Sequence, residues 1–226
     1  MQTFLTDIDG TLTMEYSVNC SGGLQPFEFL CDWVAESLQC PAGEAEKRIR
    51  AAGDPETTCW FRLLERLNVP EGPLWNFFCE YYRPRLSIPE DTVEMLSFLK
   101  ERNKRVYTAT TNSRKITLVK LSLGGLADTD GSPWISGFFG GDSFDPALGK
   151  FAPDFFQNIL KAGGFDPAQT VMLGNEMEHD ARPALNAGIA CAVLIDRTQT
   201  RDFYRDGKII HVRNYRALRE NLPELF

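Results

Sequence analysis

The sequence predicts an α/β fold: a doubly wound parallel sheet that carries a helical insertion after its first strand. Two observations predict it. From residue 87 onward, apolar segments of strand length alternate with segments of helical period, whereas residues 15–86 show helical patterns and no convincing strand. Strands that are apolar throughout and separated by helices are typical of a parallel sheet covered on both faces. The first strand belongs with the alternating half, so we predict a core over 1–14 and 87–226 and an inserted domain over 15–86.

Length and composition are those of a globular protein. The 226 residues suit one large domain or one domain with a smaller insertion. With 43% hydrophobic residues, 24% charged residues and a net charge of -7, the chain resembles cytosolic proteins, and its charge argues against nucleic acid or a membrane as a bulk partner. No basic run precedes an apolar segment at the N-terminus, and no stretch is apolar for long enough to span a bilayer. We expect a cytoplasmic enzyme-like domain, either a monomer or a homodimer.

The insertion is predicted to contain four helices. They are expected at 27–38, 44–52, about 60–67 and about 73–83. Gly53 ends the second helix, and Asp54 with Pro55 forms a start signal for the third.

Helices and strands alternate through the rest of the chain. Ser87 and Glu90 form a capping box that opens the first helix of this half. Strands are expected at 105–110, 134–139, 170–173, 190–195 and 208–212, and helices at 115–123, 153–162, 181–187 and 215–222. The loop at 142–149, rich in Gly, Asp and Pro, is expected to be the most mobile segment outside the insertion.

The first strand ends in two carboxylates, Asp7 and Asp9, followed by Gly10. Because alternate strand residues point to the same side, both carboxylates would start on one face. Two unit charges ~4 Å apart repel by roughly 4 kcal/mol at an effective dielectric near 20, so a positive group must offset them. Magnesium suits carboxylate oxygens, and the six cysteines and two histidines lack zinc-ligand spacing. The alternative is a simple Asp-Gly turn.

Three later segments supply partners, because ligands of a parallel sheet bind beyond the carboxyl ends of its strands. Thr111 and Asn112 follow one strand, Lys150 follows the glycine-rich loop, and an oxygen-rich segment from Gly174 to Asp180 follows another strand. Each also has a purely structural interpretation: Thr111 could cap a helix, Lys150 could be a solvated charge, and Asp180 could be a favourable acid at a helix start. All three together are better explained by one shared site.

The order of these motifs resembles that of the haloacid dehalogenase superfamily. Asp7-x-Asp9-Gly10-Thr11 is followed by Thr111-Asn112, then by Lys150, and then by Gly174-Asn175-x4-Asp180. The position of the insertion is similar to that in the branch with a helical cap of the C1 type. The resemblance covers about two-thirds of the chain and implies a Rossmann-like catalytic core with a helical cap domain.

That resemblance implies hydrolysis of a small phosphate monoester. It makes Asp7 the nucleophile that forms an aspartyl phosphate, and Asp9 the group that protonates the leaving alcohol and then activates water. It assigns Thr111 and Asn112 to the phosphate oxygens, and Lys150 to the space between the phosphate and Asp7. Dehalogenases of this superfamily lack the second acid, so Asp9 favours a phosphatase. A phosphomutase or another phosphotransferase is the alternative within enzymes.

The resemblance also implies a Mg2+ ion. Its ligands would be the Asp7 carboxylate, the Asp9 backbone carbonyl and an oxygen from the segment between Asn175 and Asp180. The superfamily usually has Gly-Asp where this chain has Gly-Asn, so a neutral amide replaces a carboxylate and Asp180 becomes the charged candidate. Glu176 could substitute, although we expect it to lie outside the metal's direct ligands. The asparagine also motivates another alternative, a regulatory protein that binds phosphate without turnover.

The sequence after Lys150 is a second departure. The superfamily usually has proline directly after this lysine, whereas Phe151 and Ala152 precede Pro153 here, which leaves the register of Lys150 open.

Overall fold

The computed structural model describes residues 1–16, 25–145 and 147–226. The chain divides into two compact units, one formed by Met1–Glu15 with Ser87–Phe226 and the other by Tyr16–Leu86. We call them the core unit and the helical unit. Residues 17–24 of the insertion and Pro146 of the loop predicted to be mobile lie outside the described residues.

The helical unit contains four α-helices within its described part. They are α1 (Pro26–Leu38), α2 (Ala42–Ala52), α3 (Trp60–Arg66) and α4 (Gly72–Tyr82). Its buried side chains include Leu30, Val34, Ala45, Ile49, Leu63, Leu64, Leu74 and Phe78. Gly53 follows the end of α2, as the sequence predicts. The Asp54 carboxylate instead accepts the backbone N–H of Glu56 and so organises a turn, and α3 begins only at Trp60.

The core unit is built on a seven-stranded sheet of order β5-β4-β1-β6-β7-β9-β8 among the described residues. In chain order the strands of the whole described chain are β1 (Thr3–Thr6), β2 (Met14–Glu15), β3 (Leu86–Ser87), β4 (Arg105–Ala109), β5 (Gly137–Phe139), β6 (Thr170–Gly174), β7 (Cys191–Ile195), β8 (Phe203–Asp206) and β9 (Ile209–Val212). The two-residue strands β2 and β3 lie outside this sheet. All its paired strands are parallel except β8, which is antiparallel to β9. The strand order reverses at β1, and the carboxyl edge beside such a reversal is where ligands bind in open α/β sheets.

Helices cover both faces of this sheet. They are α5 (Glu90–Glu101), α6 (Arg114–Ser122), α7 (Phe155–Gly163), α8 (Arg182–Asn186) and α9 (Tyr215–Asn221). Adjacent residues of β1 point into different apolar clusters: Phe4 packs with side chains of α5 and α9, and Leu5 packs with side chains of α7. The alternation along β1 therefore produces the doubly wound α/β architecture that the sequence predicts.

The prediction of a capping box at Ser87 is wrong. Ser87 lies in β3, and α5 begins at Glu90 after an extended Pro89. The residue before a proline disfavours helical dihedrals, so Ile88 could not form the first turn of a helix that starts at Ser87. Glu90 and Asp91 instead supply negative charge at the helix start, where the peptide dipoles favour it.

Three further elements differ from the sequence prediction. Only Gly137–Phe139 of the segment 134–139 is strand, because the Ser132 hydroxyl accepts the backbone N–H groups of Trp134 and Ile135 and holds them in a turn. The helix expected at 181–187 consists of a π-helical turn, Met177–Ala181, followed by α8. The strand β8 has no counterpart in the sequence prediction, since its mostly exposed side chains give no apolar alternation.

Candidate active site

The acidic end of the first strand lies at the carboxyl edge of the sheet. Thr6 of β1 lies in register with Thr108 of β4 and with Leu173 of β6. The backbone N–H of Asp7 donates to the Leu173 carbonyl at 2.9 Å, which continues the pairing by one residue. The segments that follow these three strands therefore emerge side by side.

Asp7, Lys150 and Asp180 form a buried ionic triad. The Lys150 ammonium lies 2.7 Å from Asp7 Oδ1 and 2.6 Å from Asp180 Oδ1. All three side chains are almost fully buried, with exposed fractions of 8% for Asp7, 5% for Lys150 and 0% for Asp180. The structure thus brings together three predicted site residues from distant parts of the chain, and the Phe151-Ala152 sequence after Lys150 does not displace its ammonium from Asp7.

Asp180 is held in one orientation. Its Oδ1 accepts from Lys150, and its Oδ2 accepts the backbone N–H groups of Asn175 and Glu176, both at 3.0 Å. A Cβ on Gly174 would lie 2.4 Å from the Asp180 carboxyl atoms, so this approach needs glycine. Both oxygens of Asp180 are engaged by protein donors, and in this arrangement the carboxylate orients Lys150.

The triad shifts the pKa values of its members. Burial raises the pKa of Asp7 to about 6, although the neighbouring Lys150 ammonium acts in the opposite direction. Burial alone would lower the pKa of Lys150, but Asp7 and Asp180 more than offset it and hold that pKa above its usual value. Near neutral pH, Asp7 is therefore an ionised carboxylate with reduced solvation, which suits a nucleophile.

The raised pKa of Asp7 predicts a pH-dependent stability. Native Asp7 binds its proton more tightly than unfolded Asp7, so its stabilising contribution is complete below about pH 4 and is lost as the pH rises through about 6. Asp7→Asn cannot titrate. Between pH 4 and 7, the variant should therefore gain up to about 3 kcal/mol in free energy of unfolding relative to the wild type. Urea denaturation in metal-free buffer measures the difference, and a pH-independent difference would contradict the burial of Asp7.

Asp9 forms an ion pair with a second lysine, Lys120. Lys120 of α6 donates to Asp9 Oδ1 at 2.6 Å, and Asn112 Nδ2 donates to Asp9 Oδ2 at 2.7 Å. The same ammonium lies 2.9 Å from Glu15 Oε1. Burial alone would raise the pKa of Asp9, but the charge and hydrogen bond of Lys120, together with Asn112, hold it below its usual value. Each acid of the strand end thus has a separate ammonium partner.

The predicted phosphate segment, Thr111 and Asn112, packs against the glycine-rich loop. Thr111 is exposed, and the Asn112 carbonyl accepts the backbone N–H of Gly141 at 2.9 Å. A Cβ on Gly141 would lie 2.2 Å from the Thr111 carbonyl oxygen, so only glycine permits this contact. Thr111 does not cap the following helix, because the Ser113 hydroxyl accepts from the Ile116 N–H there. The Asn112 side chain binds Asp9, and its role at phosphate stays a prediction.

Asn175 lies over the glycine of the first motif. Thr11 Oγ1 donates to Asn175 Oδ1 at 3.2 Å, and a Cβ on Gly10 would lie 2.5 Å from Asn175 Nδ2. The φ of Gly10 is +72°, a conformation that favours glycine. Glu176 is half exposed and pairs with His179 at 2.7 Å. Asn175 is therefore positioned by the first motif, whereas the Glu176 side chain is engaged with a neighbour of its own segment.

Within the described ranges, no group of three or more His, Cys, Asp or Glu side chains could hold a metal ion. A magnesium site of the predicted kind needs only one or two carboxylates, because amide, carbonyl and water oxygens complete its shell. The amide oxygen of Asn175 is held by the Thr11 hydroxyl, and Asp7 supplies a carboxylate in the adjoining segment. This oxygen-only donor set fits magnesium.

Lys120 and Glu15 are the site residues that the sequence reasoning missed. Lys120 stands between Val119 and Leu121 in the most buried stretch of α6, and it is 3% exposed. A lysine inside an apolar run is the signal that could have identified it, since a buried ammonium needs a negative partner.

Comparison with known proteins places the chain among hydrolases. The model of the haloacid dehalogenase-like hydrolase family matches residues 1–188. A search of curated protein sequences found no match. No helix of the described chain is long and apolar enough to cross a membrane.

Several solved structures share the fold. A HAD phosphatase from Thermococcus onnurineus is 23% identical, with a TM-score of 0.58 and 98% coverage of both chains. A 2-haloacid dehalogenase from Pseudomonas syringae pv. Tomato DC3000 is 17% identical, with a TM-score of 0.58 and 100% coverage of both. A structure of YfnB from Bacillus subtilis, described as a HAD hydrolase bound to magnesium, is 14% identical, with a TM-score of 0.57 and 98% coverage of both. At these identities the likeness shows a common fold.

Proposed function

Because the chain belongs to the haloacid dehalogenase-like hydrolase family, we propose that it hydrolyses phosphate monoesters, with Asp7 as the nucleophile and Asp9 as the acid–base group. The observation that carries this choice is the held carboxylate of Asp9, which lies two residues from Asp7 and is bound by Asn112 and Lys120. A halide leaves as an anion and needs no proton, so dehalogenation does not require a second acid to protonate the leaving group. An alcohol leaving phosphorus needs a proton. Lys120 and Asn112 hold the pKa of Asp9 below its usual value, so we propose that Asp9 takes a proton from the incoming phosphate monoester and passes it to the leaving oxygen.

The proposed reaction has two steps. An Asp7 carboxylate oxygen attacks phosphorus, the bond from phosphorus to the ester oxygen breaks, and the leaving oxygen takes a proton from Asp9. Water then attacks the aspartyl phosphate and gives a proton to Asp9, the bond from phosphorus to Asp7 breaks, and inorganic phosphate is released.

The remaining residues bind and orient the phosphoryl group. Lys150 neutralises charge beside the Asp7 oxygen, and its contact with Asp180 fixes the ammonium. Thr111 and Asn112 are proposed to donate to the phosphate oxygens.

We propose Mg2+ as the cofactor. The residues that would hold it are Asp7, the Asp9 backbone carbonyl and Asn175, with Asp180 acting directly or through water. When bound, the metal supplies positive charge that stabilises the phosphoryl group during transfer. A neutral amide at Asn175 predicts weaker binding than a carboxylate would give.

The substrate class is proposed as a small phosphorylated metabolite. The net charge of -7 disfavours nucleic acid and anionic membranes as partners. We propose that the protein is a cytoplasmic monomer or homodimer.

An activity panel tests the proposed function. Purified protein with Mg2+ should release inorganic phosphate from at least one class among aryl, sugar, nucleotide and small-acid phosphates, and chelation with EDTA should suppress the release. The same preparation should release no halide from 2-haloacids. Halide release without phosphate release would overturn the proposal. Transfer of phosphate to a second sugar phosphate, or ligand binding with no turnover across the panel, would replace hydrolysis with a phosphotransferase or a regulatory role.

A further inference from the structure

Lys120 is a buried cation that the proposed phosphate chemistry does not use. It comes from the interior of α6, its side chain is 4% exposed, and its ammonium lies 2.6 Å from Asp9 and 2.9 Å from Glu15. Taking an ammonium out of water is costly unless it is paired. The location of Lys120 therefore needs a reason beyond packing.

The two oxygens of Asp9 are held from two different elements. Lys120 of α6 donates to Oδ1, and Asn112, after β4, donates to Oδ2. Asn112 is itself fixed, because its Nδ2 also donates to Thr110 Oγ1 at 3.2 Å. The Asp9 side chain is nevertheless 36% exposed, so the clamped carboxylate keeps an accessible edge. An acid–base group must lie within hydrogen-bond reach of the proton it moves, and a misplacement of about 1 Å can cost about 100-fold in rate.

We propose that Lys120 is a positioning residue that fixes the Asp9 carboxylate for proton transfer, with Glu15 as its second anchor. This inference rests on the proposed role of Asp9. A purely structural ion pair is the competing explanation, and it predicts a different set of kinetic effects. Asp9 and Glu15 are 36% and 50% exposed, so both stay hydrated when the ammonium is removed, and we expect Lys120→Met to fold.

Single variants give the first test. With a sugar phosphate or another alkyl phosphate that the wild type hydrolyses, and with Mg2+, Lys120→Met should lower kcat by about 10- to 100-fold and change KM by less than about 3-fold, because an alkoxide leaving group needs the proton from Asp9. Lys120→Arg should recover part of the loss, because it restores a cation to the site. Lys161→Met is the matched control: Lys161 is an exposed lysine of α7, and its replacement should leave kcat and KM unchanged. A Lys120→Met enzyme with wild-type kcat would overturn the proposal.

A double-mutant cycle shows whether Lys120 acts through Asp9. In an Asp9→Asn background, Lys120→Met should reduce phosphate release from the same alkyl phosphate by less than about 3-fold, because the group it positions has already lost its function. An equal loss in both backgrounds would mean that Lys120 acts independently of Asp9, and the proposal would be wrong.

A second double-mutant cycle combines Glu15→Gln with Asp9→Asn. Glu15 is half exposed, so this cycle tests the proposal even if Lys120→Met does not fold. Glu15→Gln should lower kcat by about 3- to 10-fold, and the loss should disappear in the Asp9→Asn background. The proposal would be overturned if Glu15→Gln lowered kcat equally in both backgrounds, or if it left kcat of the otherwise wild-type enzyme unchanged.

These outcomes are distinct from a failure of the proposed function. A wild-type protein that releases no phosphate, or an Asp7→Asn variant with full activity, would remove the function and this inference together. An active wild type with additive Lys120 and Asp9 effects would remove the inference alone.

Discussion

Asp7→Asn should reduce hydrolysis of p-nitrophenyl phosphate by about 10^4-fold or more. An amide oxygen is a far poorer nucleophile than a carboxylate, so the substitution removes the nucleophile of the first step. The substitution preserves side-chain volume, and Lys150 keeps Asp180 as an ionic partner at 2.6 Å, so the fold should survive. Initial rates of p-nitrophenolate release measure the effect, with circular dichroism as the check on folding.

Asp154→Asn is a control for the same chemical change. Asp154 is exposed, and although it precedes α7 it makes no side-chain capping bond. Its substitution should leave the rate within about 2-fold of the wild type, because isolated surface changes have small effects. Asp7→Asn with a comparable rate would mean that another residue is the nucleophile.

Lys150→Met has the second large expected effect, a loss of both activity and stability. Methionine matches the length of the lysine stem but leaves Asp7 and Asp180, 8% and 0% exposed, as neighbouring carboxylates without their ammonium. Removing one partner of a buried ion pair costs about 3 to 5 kcal/mol in free energy of unfolding. Urea denaturation at neutral pH should show a loss of this size, and the hydrolysis rate should fall to background.

A second substitution identifies the cause of that loss. Asp7→Asn in the Lys150→Met background removes one of the two unpaired charges, so part of the lost stability should return. If the double variant were no more stable than Lys150→Met, charge repulsion would not be the reason for the instability.

The sequence predicts the features of the fold and the site that follow from patterns repeated along the chain. Apolar strands alternating with helices determine the parallel sheet, and polar residues at strand ends predict where the site lies. Asp7, Lys150 and Asp180 are found together for this reason: a shared edge collects the ends of β1 and β6 and the loop after β5.

The partners within the site depend on side-chain directions that spacing does not reveal. Lys150 is the one cation among the site residues predicted from the sequence, whereas the structure gives Asp9 a different lysine, Lys120, from the interior of a helix. The predicted Asn112 also contacts Asp9. These contacts join residues more than a hundred positions apart, and local pattern carries no information about which ends of long side chains meet.

Local backbone chemistry explains the misplaced element boundaries. Ser87 satisfies a capping pattern, but Pro89 prevents a helix from beginning there. The π-helical turn Met177–Ala181 places Asp180 where its carboxylate receives two backbone N–H groups. Helical period alone does not distinguish this turn from an α-helix.

Chemical trapping of the reaction intermediate tests the central claim most directly. The protein would be mixed with Mg2+ and a substrate from the phosphate panel, quenched with borohydride, which reduces an acyl phosphate to an alcohol, and digested for mass spectrometry. We predict that Asp7 is converted to homoserine in a substrate-dependent manner, and that Asp9 is unchanged. Phosphate release with an unmodified Asp7, or with the reduced residue elsewhere in the chain, would contradict a phosphoryl transfer centred on the end of β1.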